Sequence, residues 1–198
     1  MKIFFMSMLT IVFLNTPIYV NKRELSTDFD VERFSQEVSA VNEIVGSKSV
    51  YNNKIAFLIN MKIKSGKNRF FVYDLVNEKI IDQGLVAHGC GSETGIRGEL
   101  KFSNEPNSNS TSLGRYAIGK NYIGIFGKAY KLYGLDETNS NAFKRNIVLH
   151  QYSAVPFEEQ DHYIVDSHGC PMVNEQFFKR IAKIIDTSKT KIILSIYY

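Results

Sequence analysis

From Ile55 onward the chain is a succession of short segments rich in β-branched and aromatic residues, separated by polar turns. Such segments are typical of strands, because branched and aromatic side chains pack well on a pleated surface. The predicted strands are IAFLINM, RFFVYDLV, KIIDQGLVAHG, GRYAIGKNYIG, KAYKLYG, NIVLHQY, HYIVDS and KIILSIYY. They predict a mostly antiparallel β body. The 198 residues suffice for one domain whose core needs no disulfide or metal.

Two segments have helical rather than strand periodicity. One is TDFDVERFSQEVSAVNEIVG, where Gly46 is suited to end a helix and the apolar positions are Phe29, Val31, Phe34, Val38, Val41 and Ile44. The other is NEQFFKRIAKIID, where Asn174 can cap a helix and the buried stripe is Phe177, Phe178, Ile181, Ile184 and Ile185. The predicted fold is therefore mainly β with flanking helices.

Residues 91–112 differ from both patterns, because they are rich in Gly, Ser and Asn and nearly devoid of large apolar side chains. Strand texture resumes directly afterwards. We interpret this stretch as a long loop within the domain, of the kind that is usually functional or mobile.

The first twenty residues, MKIFFMSMLTIVFLNTPIYV, contain an apolar run shorter than a membrane-spanning helix needs. The run suits the h-region of an export signal, although no A-x-A-like cleavage site follows it. An uncleaved anchor and a buried N-terminal helix remain alternatives. We predict an export signal or anchor at 1–20, an amphipathic helix region at 21–54 and a catalytic domain at 55–198. In either exported case the domain lies in the periplasm or cell envelope.

The formal net charge of +4 is weak, and charges of both signs are interspersed. This balance argues against a nucleic-acid partner.

The tripeptide His-Gly-Cys occurs twice, and it contains both cysteines of the chain. Cys170 follows a predicted strand and precedes a predicted helix, a position that often faces a pocket. The amides of Gly169 and Cys170 can converge on an oxyanion. A thiol with an ordinary pKa needs a base, and His150, at the end of a predicted strand, is the best candidate. His168 would shape the site electrostatically.

His150, a gap of sixteen residues and then Ser167-His168-Gly169-Cys170 resemble the signature of the murein L,D-transpeptidase catalytic domain family, in its Gly-Cys-Pro branch. The resemblance covers roughly residues 55–198. It also includes FSNEPNSNSTSLGRYAIG and YGLDETNSNAFKRNIVLHQ, the approaches to the pocket and to the histidine. It implies an L,D-transpeptidase-like β-sandwich.

The resemblance implies that Cys170 attacks a diaminopimelate carbonyl in a peptidoglycan tetrapeptide stem, releasing D-alanine, and that a second stem resolves the thioester. No cofactor is implied. His150 would be the base, oriented by a backbone carbonyl or by Gln151 or Ser153. Substrate contacts would come from His88, Gly114 and Tyr116, although core packing is an equal reading for Tyr116. For Ser167, a turn hydrogen bond is as plausible as a direct role.

The sequence departs from the family where an Arg or Asn usually follows the cysteine, since Pro171 and Met172 stand there. A substitute for that residue would have to come from elsewhere in the chain. The candidates are Arg97, Arg115 and Arg145.

Three other readings stay open. Cys90 and Cys170 would pair in an exported protein, or would both be inert core residues. With His88 and His168 they would bind zinc. The non-enzymatic alternative is therefore a wall-binding or zinc-stabilised module. The enzymatic alternative is an L,D-carboxypeptidase or another cysteine hydrolase of cell-wall peptides.

Overall fold

The computed structural model describes residues 30–198. It contains nine strands: β1 Tyr51–Asn60, β2 Phe70–Asp74, β3 Lys79–Gly84, β4 Val86–Ala87, β5 Gly114–Gly124, β6 Gly127–Gly134, β7 Val148–Gln151, β8 Met172–Val173 and β9 Lys191–Tyr197. They form one sheet in the order β3-β2-β1-β9-β5-β6-β7-β8-β4. The β1–β9 and β7–β8 pairs are parallel and the others are antiparallel, which confirms the mainly β prediction.

The two ends of this sheet are β3 and β4, yet only Leu85 separates them in the chain. The sheet must therefore curl until its ends meet, as in a sandwich. Its inner face encloses a core that includes Phe70 on β2, the neighbour of β3, and Val86 on β4. This closure brings β4, and the first His-Gly-Cys after it, next to β8 and the second one.

Two helices flank the sheet. Helix α1, Val31–Ser47, begins at the N-cap Asp30, whose side chain accepts a hydrogen bond from the amide of Arg33. It runs past Gly46, where we expected it to end. Its buried face packs on β1, β2 and β9, and consists of Phe34, Val38, Val41 and Val45.

Helix α2, Glu175–Thr187, begins at the predicted cap Asn174. It inserts Phe177, Phe178, Ile181 and Ala182 into the core enclosed by the sheet. This insertion fixes β8 and Asn174, which lie between Cys170 and the helix.

One strand prediction is wrong. The HYIVDS segment forms no strand, and only Ser167 makes an isolated bridge, to Gly89. The reason is local: the amide of Ile164 donates to the Ser65 hydroxyl, 3.1 Å away, instead of to a neighbouring strand. The two-residue strand β8 pairs with β4 and β7 instead, and it is too short to give a sequence pattern.

The predicted export signal or anchor at 1–20 lies outside the described residues, as does Phe29. Within residues 30–198 no helix is long and apolar enough to cross a membrane.

Candidate active site

The two His-Gly-Cys tripeptides lie side by side. The amide of Ser167 donates to the carbonyl of His88, and the amide of Cys90 donates to the carbonyl of Ser167, both at 2.8 Å. A Cβ at Gly89 would lie 2.7 Å from the Cα of Gly169, so the two backbones touch where both residues lack side chains. The backbone of the first tripeptide therefore holds the second one in position.

Cys170 lies in the turn before β8. Gly169 has a φ of +110°, a region that favours glycine, and this turns the cysteine toward β7. The Cys170 Sγ is 3.5 Å from the amide nitrogen of Val148 and 3.7 Å from the carbonyl oxygen of Asn146. Both thiols are free, which excludes the disulfide reading in this structure, and Cys170 is partly buried whereas Cys90 is exposed.

His150 lies on β7 opposite Met172 of β8, two residues beyond Cys170. The pairing of β7 with β8 thus places the imidazole on the strand next to the turn that carries the thiol. The Nδ1 of His150 is 2.9 Å from the carbonyl oxygen of Gln151. A carbonyl only accepts, so Nδ1 carries the proton and Nε2 keeps its lone pair. The orienting group is therefore a backbone carbonyl.

The His150 ring is shielded on one face by Phe126, at a centroid distance of 5.2 Å and an interplanar angle of 17°. Phe126 is on the turn between β5 and β6 and makes an edge contact with Tyr152. Burial lowers the pKa of His150, and its hydrogen bond to Gln151 opposes that shift. The imidazole is therefore neutral at neutral pH.

Burial raises the pKa of the Cys170 thiol. The hydrogen bond from Val148 and the positive charges of Arg145 and Lys131 oppose this shift. A thiol with a raised pKa beside an imidazole with a lowered pKa is a neutral pair. In such a neutral pair, nucleophilic attack by the thiol would require a general base to take its proton.

Of the three candidate arginines, only Arg145 lies beside the cysteine turn. Its Nη2 is 3.3 Å from where a Cβ on Gly169 would be. Its guanidinium donates to four oxygens of the 91–112 loop and its end, those of Ser103, Ser108, Ser110 and Ser112. It therefore orders the loop against the site. Arg115 is paired with Asp136, and Arg97 lies over the ring of Tyr163.

The expected oxyanion donors are only half available. The amide of Gly169 donates to the hydroxyl of Ser167 at 3.0 Å, which is the turn hydrogen bond considered for that serine. Within residues 30–198 the amide of Cys170 makes no hydrogen bond. His168 is exposed, next in the chain to the cysteine turn.

Two of the three expected substrate contacts do not reach the surface, and the third faces a turn. Tyr116 is 0% exposed, and its hydroxyl donates to the carbonyl of Ser112 at 2.6 Å. A Cβ on Gly114 would lie 2.8 Å from side-chain atoms of Asp136 and Asn139, in the turn after β6. His88 is 1% exposed. The sequence shows which residues follow strands, but not which face of each strand the closed sheet encloses.

His88 belongs to a polar network that sequence reasoning missed; His88 and Arg69 are buried in it, and Glu93 and Asp166 are exposed. Its Nδ1 is 2.9 Å from Nη2 of Arg69, and its Nε2 is 2.6 Å from Glu93 and 3.5 Å from Asp166. Arg69 also donates to the carbonyls of Ile63 and Val86. An arginine beginning the apolar segment RFFVYDLV was the one available signal.

This network does not suit a metal ion. His88, Glu93 and Asp166 bring three ligand atoms within 4.8 Å of one another. However, Arg69 only donates, so Nδ1 must accept and Nε2 must carry the proton. Burial and the charge of Arg69 lower the pKa of His88, which agrees with a neutral ring. Both ring nitrogens are occupied, which argues equally against the zinc set of His88, Cys90, His168 and Cys170.

The fold and the site define a mainly β protein in which a buried, oriented imidazole lies on the strand next to the turn that carries a thiol. The model of the L,D-transpeptidase catalytic domain matches residues 25–197, which is most of the chain. The protein therefore belongs to the L,D-transpeptidase catalytic domain family. Among curated proteins, none matches at a significant level.

Similar solved structures include Bd1075 from Bdellovibrio bacteriovorus, at 18% identity over 73% of this chain and 48% of that one, with a TM-score of 0.46. The K307A mutant of the helical cell shape determining protein Pgp2 from Campylobacter jejuni is 13% identical over 80% and 53%, with a TM-score of 0.46. An L,D-transpeptidase from Xylanimonas cellulosilytica is 13% identical over 74% and 61%, with a TM-score of 0.39. The chain thus spans about half to three fifths of their lengths.

Proposed function

We propose that this protein is a cysteine-dependent L,D-transpeptidase that cross-links peptidoglycan stem peptides through a thioester. The observation that carries the proposal is the state of His150. Its Nδ1–H is bound to the Gln151 carbonyl, so the lone pair of Nε2 is available on the strand beside Cys170. Family membership supports the same chemistry.

In the first half-reaction, Sγ of Cys170 attacks the diaminopimelate carbonyl of a tetrapeptide stem while Nε2 of His150 takes the thiol proton. The amide of Cys170 donates to the tetrahedral oxyanion. The carbon–nitrogen bond then breaks, the imidazolium protonates the departing amine, and D-alanine leaves. The product is a thioester on Cys170.

In the second half-reaction, an amine of another stem attacks the thioester and gives its proton to His150. The carbon–sulfur bond breaks, and the imidazolium returns a proton to the thiolate. With water as the acceptor, the same site would be an L,D-carboxypeptidase. We place the reaction in the cell envelope, to which the predicted export signal or anchor would deliver the domain.

Incubation with disaccharide tetrapeptide followed by mass spectrometry tests the proposal. We expect a cross-linked dimer together with loss of D-alanine. Loss of D-alanine alone would assign a hydrolase, and an unchanged substrate would contradict both activities. Cys170→Ala should abolish turnover while Cys90→Ala retains most of it, because Cys90 is exposed and the ring of nearby His88 is held by Arg69 and Glu93.

A carbapenem provides a second test that requires no acceptor, because the family resemblance implies that its strained ring acylates the thiol. Intact-mass analysis should show one adduct on the wild type and none on Cys170→Ala. An adduct that persists on Cys170→Ala but disappears on Cys90→Ala would reassign the nucleophile.

A further inference from the structure

A lysine beside the proposed nucleophile has no acidic partner. Lys131 on β6 pairs in register with Val148 on β7, and the amide of Val148 contacts the Cys170 Sγ. Lys131 is thus one strand removed from the residue that touches the thiol. Among residues 30–198 it makes no ion pair, whereas nearby Lys128 is paired with Asp186.

Aromatic rings hold this ammonium in place without neutralising it. The Nζ of Lys131 lies 4.8 Å from the ring centroid of Tyr122 and 5.7 Å from that of Phe143. Phe143 in turn stacks on Tyr133 at 5.2 Å and 12°. Such contacts orient a cation but leave its charge and its hydrogen-bond donors available to a ligand.

The other candidate residues of the site do not supply a free positive charge beside the cysteine. Pro171 and Met172, which follow the cysteine, carry no charge. Four hydrogen bonds to the loop already engage the guanidinium of Arg145. The charge of Lys131 also helps to oppose the rise in the thiol pKa of Cys170, in keeping with an ammonium that faces the site.

We propose that Lys131 binds the terminal carboxylate of the donor stem. This inference rests on the proposed function, in which the attacked carbonyl is joined directly to a terminal D-alanine. The carboxylate of that alanine lies only a few bonds from the attacked carbon, so a cation beside the thiol meets it. A compact ammonium suits such a single-point contact.

The test compares a tetrapeptide ending in D-alanine with the same peptide ending in D-alaninamide. In Cys170→Ala, which binds without reacting, we expect calorimetry to show the acid bound about tenfold more tightly, the effect of one charge-assisted hydrogen bond. Lys131→Met in that background should remove the preference, while Lys131→Arg should restore it. Methionine retains the apolar stem against the rings, so this variant should keep its fold.

Lys191→Met is the matched control, because the Nζ of Lys191 also lies over an aromatic ring of this surface, 5.8 Å from the centroid of Tyr133. It should keep the preference for the acid. Equal binding of acid and amide, or an acid preference that survives Lys131→Met, would overturn the assignment. Turnover that does not distinguish the acid from the amide would overturn the carboxylate-binding role of Lys131 but not the proposed reaction. Acid-selective binding without turnover would overturn the proposed reaction alone.

Discussion

At the scale of single residues, the site depends on the protonation states of two side chains. The raised pKa of Cys170 and the lowered pKa of His150 both follow from burial. A thiolate–imidazolium pair would need the opposite shifts. The resting site is therefore poised as a neutral thiol and a neutral base.

This state predicts the pH dependence of thiol reactivity. Alkylation by iodoacetamide requires the thiolate, so in Cys90→Ser the rate should keep rising through about pH 8.5, the pKa of an ordinary thiol. Stopped samples analysed by intact mass give the profile. A rate that is already constant from about pH 5 would instead indicate an ion pair and contradict the neutral assignment.

The backbone conformation of Gly169 cannot be adopted by another residue without strain. An alanine would have to adopt a φ of +110° and bring its Cβ to 2.9 Å from the Ser110 carbonyl oxygen. Gly169→Ala should therefore lower the free energy of unfolding by about 1–3 kcal/mol, measured in urea, and suppress turnover. In Gly46→Ala, by contrast, no neighbouring atom lies within 4 Å, and helix propensity should raise stability by up to about 1 kcal/mol. Similar losses in both variants would contradict this account.

At the scale of elements, the structure gives the first His-Gly-Cys a role that its sequence did not reveal. The segment after β4 holds the cysteine turn by backbone hydrogen bonds, and the His88 ring is anchored by Arg69 and Glu93. We therefore predict that His88 positions the cysteine turn rather than contacting substrate.

His88→Ala tests this role. It should cost about 3 kcal/mol of stability, because Arg69 and Glu93 would lose a buried partner. We expect kcat to fall with KM almost unchanged, since the ring does not reach the surface. His162→Ala, at an exposed position, should change stability by less than about 0.5 kcal/mol. A raised KM at unchanged stability would show that His88 does contact substrate.

Long periodic segments were predictable: the strand GRYAIGKNYIG coincides with β5, and the cap Asn174 begins α2. The outcome for HYIVDS was not predictable, because its backbone amide at Ile164 donates to the Ser65 side chain instead of to a neighbouring strand. The proposed pairing of His150 with Cys170 is a prediction from the family resemblance, whereas Lys131 and Arg69 emerge only from strand register and burial.

At the scale of the whole molecule, closure of the sheet connects the site to the rest of the chain. The core it encloses draws on eight of the nine strands and on α2, and the cysteine turn lies over it. Helix α1 covers the outer side of β1, β2 and β9 through separate clusters. We predicted residues 21–54 as a region distinct from the catalytic domain at 55–198, and the extent of cooperative unfolding tests that division.

The burial of Phe34 predicts that α1 and the sheet unfold together. Phe34 is 0% exposed and makes edge contacts with the rings of Phe71 and Tyr73, at 5.8 and 5.3 Å. Phe34→Ala should lower the unfolding free energy of the whole domain by about 3–5 kcal/mol, and Val31→Ala, 50% exposed, by much less. Far-UV circular dichroism and tyrosine fluorescence should report one urea midpoint. An early transition confined to the helix would instead show that α1 is dispensable, and turnover would then survive Phe34→Ala unchanged.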